Sequence, residues 1–402
     1  MITPREIAPE NEQRLIGYLE SREQAYMERL RKLVDENSGI DNPDGRLACL
    51  MMLERTYKAL GFACERVEKI GGMVHLVARR PAMGKKPAMA PKILILGHFD
   101  TVYDANTTFL SFTREGPHLC GPGVGDMKGG LVVAQAALES IHAIGQLGEF
   151  DWLCVHNADE EVQSPTSREL IEQLAVGRDF CLDFEIGCKT GAVVRSRAGV
   201  GRYFITVHGK SAHAGMDHGA GVNAIVGMAG IVQKLSALSD AERGTTVNVG
   251  TIHGGTKRNI VPEQCKIEVD VRVMTLDEGQ RIDAQVRTIC AQPPIDGGRV
   301  EIMGGIGRPP WQRNPQCEAL IQHFQQTAQA FGVTLEAEDT GGGSDANFTA
   351  ALGIATIDGL GPVGEGPHTF GERILAHSII ERAKLTALAV LSWQRPQAVE
   401  VN

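Results

Sequence analysis

Two histidines and a set of carboxylates stand at positions in this chain where side chains could do chemistry. They are His98 with Asp100 two residues on, Asp126 inside the glycine-rich run 121–130, the adjacent pair Glu160 and Glu161, Glu185, and His368 directly after Gly366 and Pro367. Imidazole and carboxylate together suit one or two divalent cations of the zinc or manganese type better than calcium. Neighbouring carboxylates such as Glu160 and Glu161 repel each other, and a cation relieves this by binding one and leaving the other as a base for metal-bound water. Asp100 offers the carboxylate that fixes the ring tautomer of a metal-bound His98.

Taken singly, each motif is commoner as a turn, a loop or solvated surface than as a site. Their joint placement outweighs that reading, because each falls just past an apolar run that reads as a strand. The strand 92–96 leads into His98 and Asp100, 152–156 into Glu160 and Glu161, and 180–186 carries Glu185 near its end. Helical patterns at 129–144 and 167–174 lie between them. Such alternation indicates an α/β domain with a mostly parallel sheet, whose ligand crevice forms at the C-terminal strand ends.

Two amphipathic helices precede this layer, the first reading from Leu15 to Leu33 and the second ending at Gly61. From about Arg197 the pattern changes. Strands at 202–207, 246–252, 266–273 and 299–303 and helices at 222–238 and 276–291 give the order βαββαβ, a ferredoxin-like module. The first layer then resumes, with a helix at 315–331, strands at 333–338 and 354–357, and a closing helix at 376–393. The expected organisation is a catalytic domain in two parts, 1–196 and 309–402, interrupted by a small domain at 197–308.

Composition narrows the function further. The 402 residues carry 40 Lys+Arg against 49 Asp+Glu, a formal charge of −9. An acidic chain without a basic cluster is a poor partner for nucleic acid. No apolar stretch reaches the length of a spanning helix, so no membrane partner is expected. Residues 1–14 have no apolar core of a signal peptide, and nine cysteines show no CxxC pair, which together lead us to expect a cytoplasmic protein. The 47 glycines exceed ordinary usage, and many lie in the loops that carry the polar residues above.

The segments 97–102, 121–130, 159–161, 184–185, 209–215, 259–262, 270–272, 341–346 and 366–368, in that order, resemble those of the M20 metallopeptidases, in particular the glutamate carboxypeptidase (carboxypeptidase G2-like) branch. The resemblance implies a zinc-peptidase-like catalytic domain with an inserted lid or dimerisation domain, and a homodimer formed through that domain. It implies two Zn2+ per subunit, with Mn2+ or Co2+ as substitutes: one held by His98, Asp126 and Glu185, the other by Asp126, Glu161 and His368. Glu160 would be the general base and proton shuttle, and Asp100 would orient His98. His213 resembles the histidine that reaches the partner subunit's site and polarises the scissile carbonyl. Asn259 and Arg272 resemble the groups that grip a substrate carboxylate, with Arg308, Gly342, Gly343 and Ser344 as further substrate-side elements. The activity implied is release of a C-terminal amino acid, glutamate being one candidate, from a peptidyl or N-acyl substrate by Glu160-assisted attack of a metal-bridging hydroxide. The alternative on the same scaffold is an N-acyl-amino-acid deacylase of acetylornithine or succinyl-diaminopimelate type. A non-catalytic binding protein is a third reading, disfavoured by the complete ligand set.

Overall fold

A computed structural model describes residues 5–292 and 295–394; the outermost ends of the expected catalytic domain and Pro293–Pro294 of the expected small domain lie outside the described residues. The chain divides into two compact units, one of Met1–Arg195, Arg313–Asp339 and Ser344–Asn402, the other of Ser196–Gln312 with the short return Thr340–Gly343. That return was not expected from the sequence, which placed 340–343 in the larger domain.

The larger unit is built on a six-stranded sheet. Its spatial order is Ala63–Glu68, Val74–Arg80, Asp151–Asn157, Lys92–His98, Phe180–Asp183 and Ala355–Ile357. The last four are parallel to one another, while the first two pair antiparallel at one edge. Period-two alternation buries both faces. Ile93 and Ile95 enter the major core with Trp152, Cys154, Phe180 and Leu182. Leu94 and Leu96 point to the other face, with Leu153, Val155, Cys181 and Phe348. Helices Gly130–Ala143 and Ser378–Ser392 pack against each other on the first face.

Three differences from the sequence reading have local causes. The helix expected from Leu15 to Leu33 is two, Pro9–Ser21 and Glu23–Val34. The Ser21 hydroxyl donates to the Tyr18 carbonyl, a local bond that competes with helix continuation, while the apolar spacing survives a one-residue break. The strand expected at 333–338 is shorter and later, at Ala337–Thr340. The strand carrying Glu185 stops at Asp183, leaving Glu185 in the loop beyond. A small four-stranded sheet was not anticipated: Gly364–Glu365, Arg373–Leu375, His118–Cys120 and Thr113–Glu115, in that order.

The smaller unit is the βαββαβ module. Strands Gly199–His208, Thr246–Gly254, Gln264–Val273 and Arg299–Arg308 form one antiparallel sheet with Gly199–His208 and Gln264–Val273 at its centre. Helices Ala224–Ser236 and Leu276–Ala291 cover its core of Tyr203, Ile205, Ile231, Val269 and Ile282.

Gly130 opens a helix buried along most of its length, where it passes the backbone leading to Glu185. A Cβ there would stand 1.7 Å from the Phe184 carbonyl oxygen, so only glycine fits. Gly130→Ala is expected to destabilise the fold by about 1–3 kcal/mol or more, read as a lower midpoint in urea unfolding followed by tryptophan fluorescence. An unchanged midpoint would show that the helix and the 184–185 segment can separate freely.

Candidate active site

Because three adjacent strands are parallel, their C-terminal ends share one edge of the larger unit. His98 ends one strand, Asn157 beside it leads to Glu160 and Glu161, and Asp183 leads to Glu185. Asp126 arrives on the glycine-rich loop, whose Gly123 adopts φ +72°, and joins Met127 through a cis peptide bond. His368 arrives from the loop after Gly364–Glu365, with Gly366 at φ +77° and His368 itself at φ +63°.

These residues meet. His98 Nε2 lies 3.0 Å from Asp126 Oδ1 and 3.6 Å from Glu185 Oε1. His368 Nε2 lies 3.1 Å from Asp126 Oδ2 and 3.2 Å from Glu161 Oε2. Asp126 therefore faces a different imidazole with each oxygen. Ligand atoms of His98, Glu160 and Glu185 lie within 4.8 Å of one another, as do those of His98, Asp126 and Glu161. Glu160 is 8% exposed.

Asp100 does more than accompany His98. His98 Nδ1 faces the Asp100 carbonyl at 3.1 Å and its carboxylate at 3.4 Å. The Asp100 carboxylate meanwhile accepts from the backbone N–H groups of Glu160 at 3.3 Å and Glu161 at 3.0 Å. One buried carboxylate thus orients the imidazole of one strand end and the paired glutamates of the next.

The electrostatics of the cluster are those of crowded, buried carboxylates. Burial and the charge of Asp126 push Glu161 up to about 8, against a hydrogen bond from His368. Burial also drives Glu185 to about 8, with His98 opposing and Asp126 adding to the rise. Asp126 is the exception: burial would raise it, but hydrogen bonds from His368 and His98 hold it well below the usual carboxylate range. His368 is pushed up to about 11 by its bonds to Asp126 and Glu161. Burial opposes charge on His98, yet Glu185, Asp100 and Asp126 carry it well above its ordinary value. In addition, Glu161 Oε1 is buried with no hydrogen-bond donor, a costly state for a carboxylate oxygen. A divalent cation would remove each of these penalties at once, and the mix of imidazole and carboxylate without sulfur fits zinc, manganese or cobalt.

A residue that sequence reasoning missed holds the loop in place. Glu372, fully buried, accepts from the backbone N–H groups of Gly123 at 3.0 Å, Gly125 at 2.8 Å and Asp126 at 2.9 Å, and from the Tyr103 hydroxyl at 2.8 Å. It lies four residues after His368, so one carboxylate ties the Asp126 loop to the His368 loop. Its lone position among ordinary surface-type residues carries no local signal.

The substrate-side residues proposed from the sequence divide between the units. Ser344 belongs to the larger unit and is buried; its hydroxyl donates to Asp358 at 2.7 Å and Asp183 at 3.4 Å, which gives it a loop-fixing position. The rest lie in the smaller unit. Arg272 forks onto Asp270, with contacts of 2.8 and 3.0 Å, and reaches the Gly341 carbonyl at 3.5 Å. Arg308 is buried beside Gly343, whose absent Cβ would lie 3.0 Å from Arg308 Cδ. The Gly342 carbonyl accepts from Arg197 at 3.3 Å. Asn259 is exposed and its carbonyl accepts from the Ala214 N–H. His213 is exposed, and its Nδ1 accepts from the N–H groups of Gly215 at 3.2 Å and Met216 at 3.1 Å. Two backbone donors on Nδ1 leave Nε2 as the protonated nitrogen of the neutral ring, a donor on an exposed side chain.

Two outcomes follow from this geometry. Since Glu161, Glu185 and His368 must lose protons before they can hold a cation, zinc titrated into metal-free protein is expected to release protons, and its affinity to fall as pH drops below about 8; a flat affinity between pH 6 and 9 would contradict it. Glu372→Ala should weaken metal binding by about 10- to 100-fold with far-UV circular dichroism preserved, while unchanged affinity would show that the loop holds Asp126 unaided.

Residues 195–297 match the peptidase dimerisation domain of the M20 family. Over 353 residues the chain is 29% identical to carboxypeptidase G2 of Pseudomonas sp. (strain RS-16), covering 86% of this chain and 83% of that protein. It is 26% identical over 374 residues to succinyl-diaminopimelate desuccinylase of Delftia acidovorans, covering 87% and 94%. The crystal structure of the M20 family metallo-carboxypeptidase Sso-CP2 from Sulfolobus solfataricus shares the fold, with a TM-score of 0.76 at 16% identity over 91% of this chain and 98% of that one. The dimerisation module occupies the smaller unit, and the sequence likeness runs through the larger unit that carries the imidazole–carboxylate cluster. In its dimerisation module and in its fold the chain is therefore similar to the M20 metallopeptidases, and over most of its length to carboxypeptidase G2.

Proposed function

We propose that this chain is a two-metal amidohydrolase that releases a C-terminal amino acid, glutamate being one candidate, from a peptidyl or N-acyl substrate. The observation that carries the reading is Asp126, whose two oxygens each face a different imidazole, with Glu185 beside the first and Glu161 beside the second. His98, Asp126 and Glu185 would hold one Zn2+, and Asp126, Glu161 and His368 the other. When bound, such a pair supplies Lewis acidity toward a carbonyl oxygen and lowers the pKa of water toward neutrality.

The chain's own residues then have distinct roles. Glu160, whose carboxylate lies within 4.8 Å of ligand atoms of His98 and Glu185, takes a proton from the attacking water and passes one to the leaving amine. Asp100, through the backbone of Glu160, keeps that carboxylate in place. His213, exposed and with Nδ1 already engaged by backbone N–H groups, donates from Nε2 to the developing oxyanion in the site of a partner subunit. Arg272 and Asn259 receive the substrate carboxylate. The fork of Arg272 is already set in a bidentate geometry by Asp270, so a substrate carboxylate would exchange for or share that partner. Gly342, Gly343 and Arg308 shape the same side. This reading includes a homodimer formed through the smaller unit and a cytoplasmic location; no helix among the described residues is long and apolar enough to cross a membrane.

The second reading, deacylation of an N-acyl amino acid, rests on the likeness to the Delftia acidovorans desuccinylase. The two separate on a substrate panel: with zinc restored, folyl- and peptidyl-glutamates are expected to exceed N-acetyl-ornithine and N-succinyl-diaminopimelate in kcat/KM. The opposite ranking favours the deacylase. Glu160→Gln should retain both metals and the fold but lose roughly 10²–10⁴ in kcat, and near-normal turnover would remove Glu160 from the mechanism. His213→Gln should leave metal content unchanged and lower kcat by about 10²–10³; mixing it with Glu160→Gln protein is expected to restore part of the activity, and no recovery would place His213 outside the partner's site.

A further inference from the structure

Away from the imidazole–carboxylate cluster, the larger unit contains a cavity of about 320 Å³ between helix Pro315–Ala330 and helix Ser378–Ser392. Its walls are mainly apolar, formed by Phe331, Val333, Leu335, Val363 and Leu385. None of its lining residues belongs to the metal cluster or to the substrate-side set.

What distinguishes this cavity is Arg382 on its wall. The residue is only 5% exposed, and arginine is rarely buried so far without a carboxylate partner. Among the described residues its one hydrogen bond is from Nη2 to the Gly191 carbonyl, at 2.6 Å, and no carboxylate forms an ion pair with it. A guanidinium presents five N–H donors, so most of its capacity is unspent. Burial pulls Arg382 down to about 10, with the Cys188 thiol and Glu381 acting the other way, and it stays cationic at neutral pH. A second cation, Lys384, lines the same cavity with its Nζ 4.7 Å from the centre of the Phe331 ring. Glu381, exposed, is the one carboxylate among the lining residues, and the neighbouring Thr190 hydroxyl is engaged by Glu338.

We propose that this cavity is a binding site for a small organic carboxylate with an apolar body, the carboxylate seated on Arg382 and the body against Phe331, Val333 and Leu335. The size is at the lower end of small-molecule sites, and the combination of apolar walls with few polar anchors is their usual make-up. A planar carboxylate matches the guanidinium fork and supplies the counter-charge the protein leaves out. The site also touches the catalytic framework. A Cβ on Gly187, two residues past Glu185, would lie 3.1 Å from Arg382 Nη2, and Val363 immediately precedes the strand that leads to His368.

The test uses 3-phenylpropionate as probe and its neutral analogue 3-phenylpropanamide as control, with binding to the full chain measured by calorimetry. The acid is expected to bind at least 10-fold more tightly than the amide. Removing metal with a chelator should leave that binding intact, which separates this site from carboxylate capture at the metal centre. Arg382→Met should weaken the acid at least 10-fold. Val333→Trp, which fills the cavity from an exposed position and leaves Arg382 untouched, should abolish binding even where Arg382→Met fails to fold. Equal affinity for acid and amide, loss of binding on metal removal, indifference to Val333→Trp, or no binding of the acid would each overturn the proposal.

Discussion

Four carboxylates and two imidazoles share one largely buried place at the strand ends, and the rest of the larger unit is arranged to keep them there. Left to themselves, Asp126, Glu160, Glu161 and Glu185 would repel each other and seek water. The fold answers in two ways. Two imidazoles bracket Asp126, one on each oxygen, so the central carboxylate stays ionised while its neighbours Glu161 and Glu185 are driven toward protonation. The remaining imbalance is what divalent cations would neutralise, which is why a cluster so unfavourable as bare protein is reasonable as a metal centre.

Holding such a cluster requires rigid supports, and these are themselves carboxylates with backbone donors. Asp100 accepts from the amides of Glu160 and Glu161 while standing beside His98. Glu372 accepts three amides of the Asp126 loop. In each case a buried negative charge is spread over N–H dipoles, which costs less than leaving it unpaired and fixes loop geometry to within a hydrogen bond. The smaller unit follows a different logic. Its sheet and two helices form a self-sufficient module, and its polar residues, His213 and Arg272 among them, are positioned by short-range bonds to Gly215, Met216 and Asp270.

Much of this was legible in the sequence because it is local. Continuous apolar runs marked the strands at 92–96 and 152–156, as expected of strands buried on both faces of a parallel sheet. The βαββαβ order of the smaller unit was readable from the change between period-two strands and helical spacing. The cluster residues themselves stood out because each follows such a run. Less legible were features set by competition between weak local preferences: the break at Arg22, the later start of the strand at Ala337, and the end of the Phe180–Asp183 strand before Glu185.

By itself, then, the sequence determined most of the elements, which imidazoles and carboxylates stand at the strand ends, and the module inserted between the two parts of the larger unit. Tertiary structure alone decided how those residues are held. The small sheet that pairs His118–Cys120 with Arg373–Leu375 brings Asp126 beside His368 across more than two hundred residues of chain, and Glu372 locks that contact. Ser344, flagged in sequence as a substrate residue, lies in a buried network with Asp183 and Asp358, and Arg382, an unremarked helix residue, stands cationic in an apolar wall. The physical reason is the same in each case: burial, ion pairing and hydrogen-bond partners are properties of a residue's neighbours in space, and long-range contacts leave no period in the sequence for a local pattern to report.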